Sequence, residues 1–265
     1  MSNWLSKIRL IINLQTLIIS VLAVSSTAVC IQYEYKADFP LTLITTSIVF
    51  PIVFSIGGAY KRREAALKEY AAIKSYLRAM FFVSRDWLEH PKEENVASMK
   101  VLIKTFFCNI RTLFTSKKTD LSFNEDKIYA NFSEFSLYIK NKLRYEGLSS
   151  GECSRTNQYL QKMMHSFESI KHIYQYRTPR TLRSFSNFFI KILPILYGPY
   201  FAYKAENMSW GLEFVIPVLL TMILVSLENI QEHLENPFDQ IGEDDIKFNV
   251  EKFIDSLNDN VFDNQ

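Results

Sequence analysis

Two groups of side chains in this sequence could do chemistry, and the rest of the chain has to position them. The first is acidic. In "LENIQEHLENPFDQIGEDDIKF" the residues Glu243, Asp244 and Asp245 follow Gly242 in one run. Adjacent carboxylates together with loop carbonyls make an all-oxygen donor set of the kind that suits Ca²⁺, which takes about six to eight oxygens. The plainer reading is a solvated acidic turn at the start of the next helix, where carboxylates meet the positive end of the helix dipole. The second group is aromatic. In "SIVFPIVFSIGG", Ser47 to Gly58, Phe50 and Phe54 stand one helical turn apart with Pro51 between them. On a helix both rings lie on one face, which looks at another helix, at lipid or at a hole. Facing a hole, they would form an apolar gate, because an ion entering it loses hydration and gains no full charge in return. Pro51 leaves a carbonyl of the preceding turn without its donor and bends the helix; Gly57-Gly58 adds a flexible or close-packed point.

No residue set supports catalysis. His90, His165, His172 and His233 have no Cys or carboxylate at ligand spacing, although His165 and His172 could share a helix face. Serine nucleophile elbows, HExxH and kinase motifs are absent, and the seven glycines form neither GxGxxG nor a P-loop. Cys30, Cys108 and Cys153 are odd in number and unpaired in spacing, so reduced thiols are expected. A net charge of +2, with no dense basic tract interleaved with aromatics, argues against nucleic acid. The protein is read as a non-enzyme that requires no cofactor, with Ca²⁺ the one ion to consider.

The elements that must position the two groups are apolar at both ends of the chain and charged in the middle. "LIINLQTLIISVLAVSSTAVCI", Leu10 to Ile31, is long enough to cross a bilayer, with Asn13 and Gln15 its strongly polar interruptions. A signal peptide is the competing reading, but the apolar core is too long for one and Val29 before Cys30 spoils a lipoprotein site, so a retained span is expected. A second run covers Leu41 to Tyr60 and ends in "KRR", Lys61 to Arg63. Two further runs begin at Phe188 and Leu212; in the former Lys191 interrupts and Pro194 and Pro199 would kink, so it crosses only if Lys191 faces a partner or water. Basic flanks at Lys7/Arg9, Lys61 to Arg63 and Arg177/Arg180/Arg183 point to the cytoplasm, which gives four spans with both termini inside.

The stretch between the span pairs reads as helices. Ala66, Tyr70, Ile73, Leu77 and Phe81 recur on one face of "KRREAALKEYAAIKSYLRAMFFVSRDWLEH", which His90-Pro91 should stop. Amphipathic runs follow at about 96–114, 125–145 and 153–174. The expected architecture is all-α: a first transmembrane pair in 1–60 with its second helix at 41–60, a helical cytoplasmic domain in 61–181, a second transmembrane pair in 182–230, and an acidic cytoplasmic segment in 231–265. A bacterial inner membrane or plasma membrane is expected, since no Arg- and Ser-rich, acidic-poor transit segment is seen.

The sequence resembles the bestrophin family of ion channels. The resemblance is carried by "RTPRTLRSF" from Arg177, by "KILPILYGPYFA", by "VSLENIQEHLENPFDQIGEDDI" from Val225, and by "SIVFPIVFSIGGAYKRREAAL", which is similar to the family's pore-lining helix. It implies a homopentamer with four membrane helices per subunit, a large helical cytoplasmic domain and one axial pore. It places Phe50 and Phe54 on the neck phenylalanines, puts Thr46 where another apolar residue is usual, and sets Pro51 within the neck. It also makes Glu243, Asp244 and Asp245 the counterparts of the acidic loop that helps form a Ca²⁺ clasp in animal bestrophins. Two departures stand out. The aromatic pair expected after the helix-end arginine is replaced by Arg63 and Glu64, and Asp239-Gln240-Ile241 intervene between NPF and the acidic group. The expected function is a pentameric channel for small monovalent anions such as chloride, with membrane lipid and copies of itself as its other partners. A membrane-anchored helical scaffold without a pore and a cation-selective relative of the family are the alternatives.

Overall fold

The computed structural model describes residues 12–90, 92–116, 121–176, 179–206, 211–240 and 245–257, and among these there is no strand. The helices are α1 (Leu14–Gln32), α2 (Leu41–Asp86), α3 (Glu93–Thr115), α4 (Leu121–Tyr138) continuing into a π-turn (Ile139–Leu143), α5 (Ser150–Gln175), α6 (Arg180–Leu196), α7 (Gly198–Ala205), α8 (Leu212–Glu235) and α9 (Val250–Asp255). The all-α class therefore holds. The chain divides into two compact units, Met1–Arg63 with Arg177–Glu235, and Glu64–Tyr176 with Asn236–Gln265.

In the first unit, Asn13 caps α1 at Leu14: the Asn13 Oδ1 accepts from Thr16 N at 3.1 Å, and Thr16 Oγ1 accepts from Asn13 N at 3.3 Å. The two polar residues of this run have partners on α8. Asn13 Nδ2 donates to Asn229 Oδ1 at 3.2 Å and Gln15 Nε2 to Glu228 Oε2 at 3.2 Å. Helix α1 packs on α6, α7 and α8, and Ile19, Ile48, Ile52, Ile190, Leu193, Tyr197 and Phe201 form the apolar centre.

The run from Phe188 differs from expectation. Instead of one kinked span it forms two helices, α6 and α7, broken at Tyr197. Pro199 has no N–H, so the carbonyl of Ile195 lacks its helical donor; Ser26 Oγ of α1 donates to that carbonyl instead, at 2.8 Å. The hydroxyl reaches it because residue 198 has no side chain. A Cβ there would lie 2.4 Å from Ser26 Oγ and 3.1 Å from the Ser26 carbonyl carbon. Among the described residues three helical segments, α1, residues 42–86 within α2, and α8, are long and apolar enough to cross a membrane. At 17 residues, α6 falls short of the roughly 20 that a crossing needs.

The second unit is a helical bundle with an aromatic core. The periodic stripe of α2 is buried throughout, with Ala66, Ile73, Leu77 and Phe81 fully covered and Tyr70 nearly so. Phe106 meets Phe132 and Phe135 edge-on at 5.2 and 5.8 Å between centroids. Helix α2 ends at Asp86, short of the expected His90 stop. Helix α5 opens with a capping box in which Ser149 Oγ accepts from Glu152 N. Tyr138 is buried, its hydroxyl donating to the Asn95 carbonyl at 2.8 Å, and burial pushes its pKa up to about 12. The helix-breaking "NPF" after α8 has a packing role as well. Phe238 is 1% exposed and stacks on Phe114 with centroids 4.8 Å apart and planes 18° from parallel, while Tyr174 meets it edge-on.

Two substitutions test this arrangement. Gly198→Ala should destabilise the first unit by about 1–3 kcal/mol through the clash with Ser26, seen as a lower melting temperature in detergent, with Ser26→Ala/Gly198→Ala recovering part of the loss. Phe238→Ala should cost about 3–5 kcal/mol and lower the urea midpoint; an unchanged midpoint would mean that the stacked cluster contributes little.

Candidate functional site

The first half of α2 packs on one side only. Ile48, Ile52, Ser55 and Ala59 are buried, and the hydroxyls of Thr45 and Tyr197 share a hydrogen bond at 3.0 Å. The opposite face has no partner among the described residues. There Phe50 is 61% and Phe54 64% exposed, and the two rings meet edge-on with centroids 4.6 Å apart. Thr46, Ser47, Val53, Gly57 and Tyr60 are exposed with them, and Pro51, half-buried, sits inside the unbroken helix. Among the described residues the phenylalanines therefore do not pack between helices of this chain. Gly57 is not a close-packed point either, since a Cβ there would meet nothing within 4 Å.

The exposed faces of the other apolar helices have a different chemistry. On α8 the exposed residues are aliphatic, Leu212, Val215, Leu219, Ile223 and Ile230, and on α1 they are mostly so, including Leu14, Leu17, Ile18, Val21 and Leu22. Lipid tails suit such surfaces. The α2 face instead mixes rings, hydroxyls and a glycine with the aliphatic Leu43 and Val53, a mixture that can sit beside water on one turn and exclude it on the next.

A polar network lies where α6 meets α8. Lys191, the residue that interrupts the third apolar run, has Glu228 as its partner at 3.8 Å, and Glu228 also accepts from Gln15. Arg183 reaches both Glu232 at 2.9 Å and Glu235 at 3.1 Å. Hydropathy located Lys191 as a problem but gave no sign of which acid answers it. Ser26 and Gly198 were also missed, because a serine and a glycine in apolar runs carry no signal of a close approach.

The acidic loop is described only in part: Glu243 and Asp244 lie outside the described residues, while Asp245 is half-buried and engaged. The loop's two ends are held by protein groups, with Ile246 N donating to the Pro237 carbonyl and Gln240 Nε2 to the Ile246 carbonyl, both at 2.8 Å. Asp245 does not cap the next helix, which begins at Val250 behind Asn249. One atom fits a hard cation: Asn236 Oδ1, an oxygen acceptor, is buried without a hydrogen-bond partner. Among the described residues no three His, Cys, Asp or Glu side chains converge as a metal site.

No family model and no curated protein matches the sequence. Solved structures do match in fold. A crystal structure of a bacterial bestrophin homologue from Klebsiella pneumoniae has a TM-score of 0.71 at 14% identity, covering 92% of this chain and 94% of that one. A variant of that homologue gives 0.70 at 14% identity over 92% and 97% of the two chains. A structure described as a membrane protein gives 0.73 at 14% identity over 92% and 98%. This chain is bestrophin-like in fold.

Proposed function

We propose that this chain is a subunit of an anion channel, a homopentamer with the first half of α2 lining an axial pore and chloride or a similar small anion passing through it. The observation that carries the reading is the α2 face itself, where Phe50 and Phe54 are largely exposed, paired edge-on and turned away from the other described helices. Copies of that face around an axis would ring it with apolar surface. Water leaves such a neck readily, and an ion crossing it gives up hydration for the weak field of aromatic edges, whose positive rim favours an anion over a cation. Thr46 and Ser47 before the rings would rehydrate the ion on one side. In the same reading α6 and α7 in series make the fourth crossing, and the basic residues Lys61 to Arg63 and Arg183 lie on the cytoplasmic side.

Ca²⁺ belongs to this proposal through the acidic loop. Asn236 and Asp245, with Glu243 and Asp244, offer the oxygen donors that a hard cation takes. A bound cation would supply positive charge that offsets the mutual repulsion of the carboxylates and holds the loop after α8.

Reconstitution in liposomes tests the channel. The protein should run at the mass of a pentamer in mild detergent, and reversal potentials under a salt gradient should follow the anion. Phe50→Ala/Phe54→Ala should raise chloride efflux about tenfold, the change for a barrier lowered by about 1.4 kcal/mol; unchanged efflux would remove the two rings from the neck. Adding Ca²⁺ to chelator-treated protein should raise its melting temperature, and the triple change Glu243→Gln/Asp244→Asn/Asp245→Asn should abolish that rise. Wild type and variant responding alike would remove Ca²⁺ from the loop.

A further inference from the structure

The second unit contains a cleft of about 630 Å³ that neither the pore face nor the acidic loop uses. Two segments far apart in sequence build it, the middle of α2 and the stretch entering α9. Its floor is aromatic, formed by the buried rings of Tyr70 and Phe253. Its rim carries Lys74, Arg78, Lys247 and Lys252, and among the described residues no carboxylate lines it.

The state of those cations is the informative part. Lys74 Nζ lies 4.8 Å from the centroid of Tyr70, and the Arg78 guanidinium 5.5 Å from that of Phe253, with Nη2 donating to Ser256 Oγ at 2.9 Å. Neither has a carboxylate partner among the described residues, and Lys247 and Lys252 have none either. Some basic residues outside the cleft have carboxylate partners, as Lys142 with Glu94 at 2.8 Å and Lys171 with Glu168 at 2.7 Å, whereas here four cations share one concavity without one. Four like charges converging on one concavity repel one another, and an anion with several oxygens removes that repulsion while using the donors of both lysine and arginine. The volume falls within the range of small-ligand sites, about 300–1,000 Å³.

We propose that this cleft binds a small phosphorylated anion, its phosphate oxygens held by Lys74, Arg78, Lys247 and Lys252 and the body of the ligand resting on Phe253 and Tyr70. A soluble phosphate ester and a phosphoinositide headgroup share that chemistry. Its test reads binding directly.

Isothermal titration of inorganic pyrophosphate into the purified full-length protein in detergent should show saturable binding at one site per chain, weakening as ionic strength rises. Lys74→Gln/Lys247→Gln/Lys252→Gln, three changes on surface side chains, should weaken it at least tenfold, whereas Lys104→Gln, an exposed lysine of α3 outside the cleft, should leave it unchanged. A second arm repeats the titration with protein in phosphatidylcholine vesicles with and without a phosphoinositide. Loss of pyrophosphate binding in the phosphoinositide vesicles identifies the lipid headgroup as the natural source, and retained binding identifies a soluble ester. Absence of saturable binding in detergent, or equal affinity in the triple variant and wild type, overturns the proposal.

Discussion

A backbone carbonyl that loses its helical donor is expensive in apolar surroundings, and in the first unit a side chain of α1 answers one. Pro199 removes the N–H that Ile195 would otherwise receive, and Ser26 of α1 replaces it. That exchange requires α1 to approach the α6–α7 break closely enough for a side chain at position 198 to be impossible. With α1 held there, Asn13 and Gln15 reach Asn229 and Glu228 on α8, and Glu228 in turn answers Lys191. Four polar features of apolar helices, each awkward alone, become consistent through one close approach.

The same unit shows how a helix can be tied on one side and left open on the other. Ile48, Ile52 and Ala59 bury themselves, and Thr45 adds a hydroxyl pair with Tyr197, so α2 is held against its neighbours without using Phe50 or Phe54. The rings spend their exposed surface only on each other. In the second unit the balance is reversed. The stripe from Ala66 to Phe81 is covered completely, and the aromatic cluster reaches out to collect Phe238 and Phe248 from the segment after α8.

Much of this was legible because helical periodicity and helix-stop chemistry are local. The stripe Ala66, Tyr70, Ile73, Leu77, Phe81 repeats at the spacing that one helix face demands, and Asn236-Pro237 ends α8 where a proline must. The shared face of Phe50 and Phe54 follows from their spacing alone. That the face is unpartnered among the described residues does not, because burial depends on residues far along the chain, such as Tyr197, 152 positions from Thr45. The break of the third apolar run was visible as Pro194 and Pro199, yet hydropathy averages across a break and reported one span. The pairing of Lys191 with Glu228, and the convergence of Lys74 and Arg78 with Lys247 and Lys252, are products of tertiary geometry that no window along the chain can contain.

Pro51 has a consequence beyond helix shape. Because it carries no N–H, the carbonyl of Ser47 has no helical donor, and Ser47 lies on the same exposed side of α2 as the two rings. Water can hydrogen-bond to such an oxygen even where the surrounding surface repels it. Beside a water-filled space, each copy of α2 would then hold one fixed hydration foothold a turn ahead of Phe50, and the stretch that water must abandon would begin at the rings themselves. The proline in this view sets the length of the dry zone.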